Sequence, residues 1–158
     1  MYEINLREYI DIAPKQLLRI WFKPERLLRE AKRIKRLKII KRDKNTIFSF
    51  WEVEVDNVCF NWRQIDELDV DRGIVNFKMY GGEFKDYKGI WYILPTNNNN
   101  KTLLYLTVTI NWGIPVLEPY VKKVLERKSR LLFRGFLKSI KVVAENYGKE
   151  SRYCYTSY

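Results

Sequence analysis

Histidine is missing from all 158 residues. Its absence removes Ser–His and Cys–His nucleophilic sites, imidazole bases and imidazole metal ligands together. Any chemistry falls to Asp, Glu, Lys, Tyr, Arg or Cys, or to positioning alone. Cysteine occurs twice, at Cys59 and Cys154, too few and too far apart for a disulfide framework or a zinc site. No apolar run approaches the ~20 residues of a membrane span. The opening MYEINLREYIDIAP has no basic segment leading into an apolar block. No secretion signal is therefore visible, and a cytoplasmic location is expected. Neither a metal nor a cofactor is expected.

Apolar residues make up 46% of the chain and aromatic residues 15%, enough for a folded core in a single domain. The formal charge is +11. It is concentrated between Glu25 and Lys44, where Lys or Arg occupies 26, 29, 32, 33, 35, 36, 38, 41, 42 and 44. Such a run suits an anionic partner (RNA, a ribosome or a membrane) or serves only as a solubilising face.

The periodicity changes along the chain. Residues 2–11 alternate as a first strand, Pro14 opens a short helix, and Pro24 breaks it and starts a second. From Ile34 the period is two, predicting strands at 34–42, 46–55, 58–67, 74–80, 84–94 and 102–112. Asp56-Asn57 suits a tight hairpin, Asp71-Arg72-Gly73 a turn, and the asparagine run after Pro95 an exposed loop. Residues 114–147 then read as one amphipathic helix about 50 Å long, with Gly148 as its stop. Its apolar stripe takes in Leu117, Tyr120, Val121, Val124, Leu125, Leu132, Phe136, Ile140 and Val143. Phe133 and Leu137 fall off that stripe, and Lys128, Gly135 and Ser139 lie on or beside it.

The expected fold is α+β: a strongly curved antiparallel sheet of about seven strands, in the order β-α-α-β6-α, wrapped around a long C-terminal helix. The domain spans 1–147, with 148–158 as a tail. A sheet gripping one helix leaves an apolar space between them, where a ligand is expected. Strand parity places Phe60, Trp62 and Gln64 on an inward face, then Val75, Phe77 and Met79, then Leu104, Leu106, Val108 and Ile110. Pattern alone does not decide whether Gly89, Trp91 and Ile93 or Ile90, Tyr92 and Leu94 point inward. From the helix, Tyr120, Val124, Lys128, Leu132 and Gly135 would close the space. Asp66, Glu67, Asp69 and Asp71 form an acidic cluster without the spacing of a calcium loop, and are read as an exposed turn. Glu52 and Glu54 either face solvent or supply an acid/base group.

Four segments resemble the START-like (SRPBCC) superfamily of helix-grip, Bet v 1-like proteins, in particular its polyketide cyclase/dehydrase and coenzyme Q-binding branch. YIDIAPKQLLRIW resembles the family's opening, and FNWRQIDELDVDRGIVNFKMYGG its central hairpin. YKGIWYILP resembles its G-x-W strand, and KTLLYLTVTINWGIPVLEP the strand leading into the closing helix. The resemblance implies an interior site for a lipid, quinone or polyketide-like molecule, with Trp91 turned inward. Three functions follow: a carrier or sensor, a cyclase/dehydratase acting by positioning, or a basic adaptor. If Lys128, Tyr120 and Gln64 converge on one buried point, chemistry is favoured. If they scatter, binding is favoured.

Overall fold

Strict alternation of buried and exposed residues sets the architecture. In a computed structural model, residues 2–113 and 118–156 are described, the side chains of the last helix from 123 to 150. Strand β1 (Tyr2–Ile10) leads to helices α1 (Pro14–Trp21) and α2 (Pro24–Leu27). Strands β2 (Ile34–Asp43), β3 (Thr46–Val55), β4 (Val58–Asp69), β5 (Ile74–Gly82), β6 (Asp86–Pro95) and β7 (Thr102–Asn111) follow. Helix α3 (Glu118–Thr156) ends the chain. The seven strands form one antiparallel sheet in the order β1-β7-β6-β5-β4-β3-β2, so β1 returns to pair with β7 and β2 is an edge.

The hairpin chemistry is local. Asp56 and Asn57 both have positive φ, 51° and 66°, the backbone of a two-residue turn matched to strand twist. Gly73, at φ 67°, turns β4 into β5. β2 carries bulges between Ile34 and Arg36 and between Ile39 and Lys41, so its alternation is broken: Ile34, Leu37 and Ile39 are only half-buried and Ile40 is exposed. Register settles the β6 ambiguity. Trp91 lies opposite the buried Val75 and Leu106, and Gly89 opposite the buried Phe77 and Val108. The inward set is therefore Tyr87, Gly89, Trp91 and Ile93.

Helix α3 departs from the sequence expectation in two ways. It runs through Gly148 instead of stopping there. Gly148 is buried, and a β-carbon on it would touch Ile12 at ordinary contact distance, so the residue marks a close approach to the start of α1. Its phase also differs. Ser129, Leu132, Phe133, Phe136, Leu137, Ser139, Ile140, Val143 and Ala144 are buried, so Phe133 and Leu137 belong to the core. Val124 is 52% exposed.

Two serines tie α3 down. The Ser129 hydroxyl lies 2.6 Å from the Tyr2 hydroxyl, which also accepts the indole N–H of Trp112. The Ser139 hydroxyl donates to the Leu27 carbonyl at 2.7 Å and accepts the Glu30 N–H at 3.0 Å. One tether fixes the helix to the sheet, the other to the α2 end.

Gly89 offers a direct test of core packing. A β-carbon there would collide with Cζ of Phe77 and with the Thr107 carbonyl oxygen, which is backbone and cannot turn away. Gly89→Ala is expected to lower the unfolding free energy by about 1–3 kcal/mol, the usual cost of overpacking. Urea denaturation measures it, and a neutral substitution would show that β5 and β6 yield at this point.

Candidate functional site

The site grows from one strand face. On β4, alternation turns Trp62, Gln64, Asp66 and Leu68 inward, and all four are buried. The Trp62 indole N–H donates to Gln64 Oε1 at 3.0 Å, and Gln64 Nε2 donates to Asp66 Oδ1 at 2.7 Å. An indole nitrogen can only donate. It therefore claims the Gln64 oxygen and directs the amide nitrogen at Asp66. Asp66 is only 4% exposed. Burial pushes its carboxyl up to about 7, and the hydrogen bond from Gln64 offsets only part of that rise. Burial, then the charge of Asp66, holds the Tyr87 hydroxyl well above its ordinary range.

Around this polar line runs a closed circuit of five aromatic rings. Trp51 stacks on Trp62 at 5.4 Å, Trp62 meets Tyr87 at 5.4 Å, and Tyr87 stacks on Phe133 at 6.1 Å. Phe133 meets Phe136 at 5.3 Å, and Phe136 returns to Trp51 at 5.8 Å. The circuit joins β3, β4 and β6 to α3. It fills much of the space between sheet and helix that the sequence assigns to a ligand. Beneath α2 an enclosed cavity of about 20 Å³ remains, lined by Trp21, Leu27, Trp51, Gln64, Asp66, Tyr87, Trp91, Phe136 and Ile140. That is room for about one water.

A second space opens outward. A groove of about 290 Å³ runs between residues 30–33 and α3, lined by Glu30, Ala31, Lys32, Arg33, Leu132, Gly135, Phe136 and Lys138. Nothing lies within 4 Å of where a β-carbon on Gly135 would stand. Phe136 lines both the groove and the inner cavity.

The anticipated residues divide into three groups. Trp62, Gln64, Phe77, Trp91, Leu106, Val108 and Leu132 are buried in the interior. Phe60 and Met79 are half-buried toward one end, where Phe60 packs on Phe84 and Trp112. Val124 and Lys128 do not enter the interior. Val124 turns to solvent because the buried stripe of α3 passes through Ser129 and Phe133. Lys128 is half-exposed and pairs with Asp56 at the β3–β4 turn. The side chain of Tyr120 lies outside the described residues, as does that of Cys154.

Asp66 is the residue that sequence reasoning misses. The sequence groups it with Glu67, Asp69 and Asp71 as an exposed turn, but β4 runs on to Asp69 and keeps its alternation. Parity carried two residues beyond Gln64 finds it. Glu67 stays exposed on the opposite face, and Asp69 accepts the Arg72 N–H at the turn. Glu52 and Glu54 lie on the outer face of β3, whose buried partners are Trp51 and Val53.

A seven-stranded antiparallel sheet gripping one long helix, with two short helices closing an end, defines a helix-grip protein of the START-like, Bet v 1-like class. The chain belongs to the polyketide cyclase / dehydrase and lipid transport family, whose model matches residues 10–137. Solved structures share the fold. A protein of Thermus thermophilus is similar at TM-score 0.85 and 22% identity, over 90% of this chain and 97% of its own. The Zhui aromatase/cyclase of Streptomyces sp. R1128 is similar at TM-score 0.79 and 12% identity, over 91% and 93%. A START superfamily protein of Mycobacterium smegmatis is similar at TM-score 0.68 and 14% identity, over 95% and 99%. No curated protein matches the chain.

The buried carboxyl makes stability depend on pH in a defined direction. Unfolded, Asp66 titrates near an ordinary ~3.9; folded, it titrates at about 7. Between these values the folded chain keeps a proton that the unfolded chain has released. The contribution is fully present below about pH 4 and is lost as pH rises through 7, by up to about 4 kcal/mol. Asp66→Asn keeps an acceptor for Gln64 and removes the titration. Urea denaturation is expected to show the variant gaining on the native protein between pH 4 and 8. A difference constant with pH would assign Asp66 an ordinary pKa.

Proposed function

We propose that this protein binds a hydrophobic or amphipathic small molecule between sheet and α3, as a carrier or sensor, with the body of the ligand lipid-, quinone- or polyketide-like. The observation that carries the reading is the polar line Trp62–Gln64–Asp66, ending at a small cavity that shares one lining residue, Phe136, with an outer groove. A buried carboxyl that is half protonated near neutrality offers both a donor and an acceptor, suited to a carbonyl or hydroxyl oxygen on an otherwise apolar ligand. Entry requires Phe136 to swing out and the interior to widen, a pocket that the ligand itself makes dominant. Phe60, Phe77, Met79, Trp91, Leu106, Val108 and Leu132 supply the apolar wall of the widened site.

Binding without chemistry is favoured by the scatter of the polar groups. Lys128 sits in an ion pair at a hairpin tip while Gln64 is deep inside, so the two do not converge. A cyclase/dehydratase reading has one observation in its favour: Asp66 beside Tyr87 provides a proton donor at neutral pH.

Titration with the neutral probe N-phenyl-1-naphthylamine tests the site. The native protein is expected to bind it saturably at one site. Leu132→Trp, which fills the groove, is expected to weaken binding at least about tenfold, the effect of losing ~1.4 kcal/mol. Phe136→Ala is expected to speed uptake. Equal binding by native protein and Leu132→Trp would sink the proposed entry route, and no saturable binding by the native protein would sink the site. Native mass spectrometry of the protein as purified, with extraction of any adduct, identifies the chemical class.

A further inference from the structure

The tether at Ser139 divides the contact between α2 and α3 into two grooves, and both are cationic. On one side lies the groove beside Phe136, rimmed by Lys32, Arg33 and Lys138. On the other, Arg19, Lys23, Arg26 and Arg29 surround a groove of about 230 Å³ that Asn146 and Tyr147 of α3 complete. The carboxylates among these lining residues are Glu30 and Glu150. Among the described residues, Arg29 pairs with Glu30 at 3.9 Å, and none of the other six cations lies within 4 Å of a carboxylate. Two mostly cationic grooves flanking one tether, largely without internal partners among the described residues, are complementary to a surface of the other sign.

The same face is apolar along one line. Leu131 and Val142 are 47% and 49% exposed. They share an edge of α3 with Gly135 and Lys138 at spacings of four, three and four residues. Tyr147, also exposed, lines the second groove. Aliphatic side chains set among cations suit a lipid surface, where charge meets the headgroups and the apolar groups enter the acyl boundary. Single-stranded nucleic acid would call instead for several exposed aromatic platforms.

We infer that this face docks on an anionic lipid membrane, with the groove beside Phe136 turned toward the bilayer. The face stands on its own charge and geometry; only its role as the approach to an interior ligand site rests on the function proposed above. Docked in this way, an amphipathic molecule passes between bilayer and interior without crossing water.

Flotation with vesicles of phosphatidylcholine, with and without about one-third phosphatidylglycerol, tests the inference on the full chain. Binding is expected only to the anionic vesicles, and is expected to fall as salt rises. The triple variant Lys32→Glu, Arg33→Glu, Lys138→Glu is expected to lose at least about tenfold in partitioning. Arg36→Glu, Lys38→Glu, Lys41→Glu, which changes net charge equally on strand β2, is expected to retain it. Leu131→Ser is expected to weaken binding without altering net charge. No binding to anionic vesicles at low salt would overturn the inference, as would equal loss in the two triple variants. Oligouridylate that competes with vesicles and is itself lost only from the first triple variant would reassign the face to nucleic acid. Vesicle binding without uptake of the naphthylamine probe counts against the interior site alone, and uptake without vesicle binding counts against this face alone.

Discussion

The contact between α3 and the sheet rests on the circuit of Trp51, Trp62, Tyr87, Phe133 and Phe136. Aromatic side chains bury some 150–250 Å² each, and paired rings add about 0.5–1.5 kcal/mol beyond that area. Here five of them meet in a closed sequence of centroid distances between 5.3 and 6.1 Å. Three come from neighbouring regions of the sheet and two from successive turns of the helix, so displacing one ring breaks two contacts. The circuit sets how close α3 can come and leaves only about 20 Å³ of enclosed space beneath α2. Phe136 differs from the others because one side of it faces the outer groove.

The polar line inside the circuit follows from the chemistry of its first member. Trp62 is held by stacking on Trp51, and its N–H must find an acceptor because an unpaired buried donor is costly. Gln64, two residues along the same face, supplies the oxygen. Its amide hydrogens then have to go elsewhere, and Asp66, two residues further, receives one. Among the described residues, the carboxyl pairs with no cation. Burial without a cationic partner favours the neutral acid, which is why the carboxyl titrates near 7 and not below 4. Trp51 repeats the device one strand away, its N–H donating to Ser49 at 2.8 Å. That line runs on from Ser49, whose hydroxyl donates to the Gln64 carbonyl at 3.5 Å.

Much of the fold is legible in the sequence because strands β3, β4, β5 and β7 alternate cleanly and their turns carry specific residues. Asp56-Asn57 is an example: both residues tolerate positive φ, and both adopt it. β6 is not legible, since Ile90, Tyr92 and Leu94 are as apolar as Trp91 and Ile93; only pairing with Val75 and Leu106 separates the faces. Asp66 is obscured by its neighbours. Four carboxylates within six residues suggest a solvated turn, yet a strand twelve residues long assigns 66 and 67 to opposite faces. On α3 the difference is one of phase. Val124 and Lys128 lie one residue from Leu125 and Ser129, and that single step of about 100° carries them out of the buried stripe. Gly148 has the appearance of a stop signal, but α3 runs through it, and a β-carbon there would make only ordinary contact with Ile12.

The basic segment separates into two parts with different causes. On β2, the edge strand, lysines and arginines sit where an unpaired row of backbone groups would otherwise invite another chain. Some of these cations also have local partners. Lys35 meets Glu54 at 3.5 Å, and Arg42 pairs with Glu25 and donates to the Phe22 carbonyl at 3.0 Å. Edge protection and local pairing account for that half without a ligand. Edge protection does not reach Arg26, Arg29 and Lys32, and among the described residues local pairing reaches only Arg29 of these, through Glu30. Arg26 lies on α2, Arg29 and Lys32 in the turn after it, and Arg33 at the start of the β2 edge, where its carbonyl accepts the Glu54 N–H at 2.9 Å. Lys138 joins them from α3. Their mutual repulsion disfavours the compact state. The anionic surface inferred above is what would supply their counter-charge.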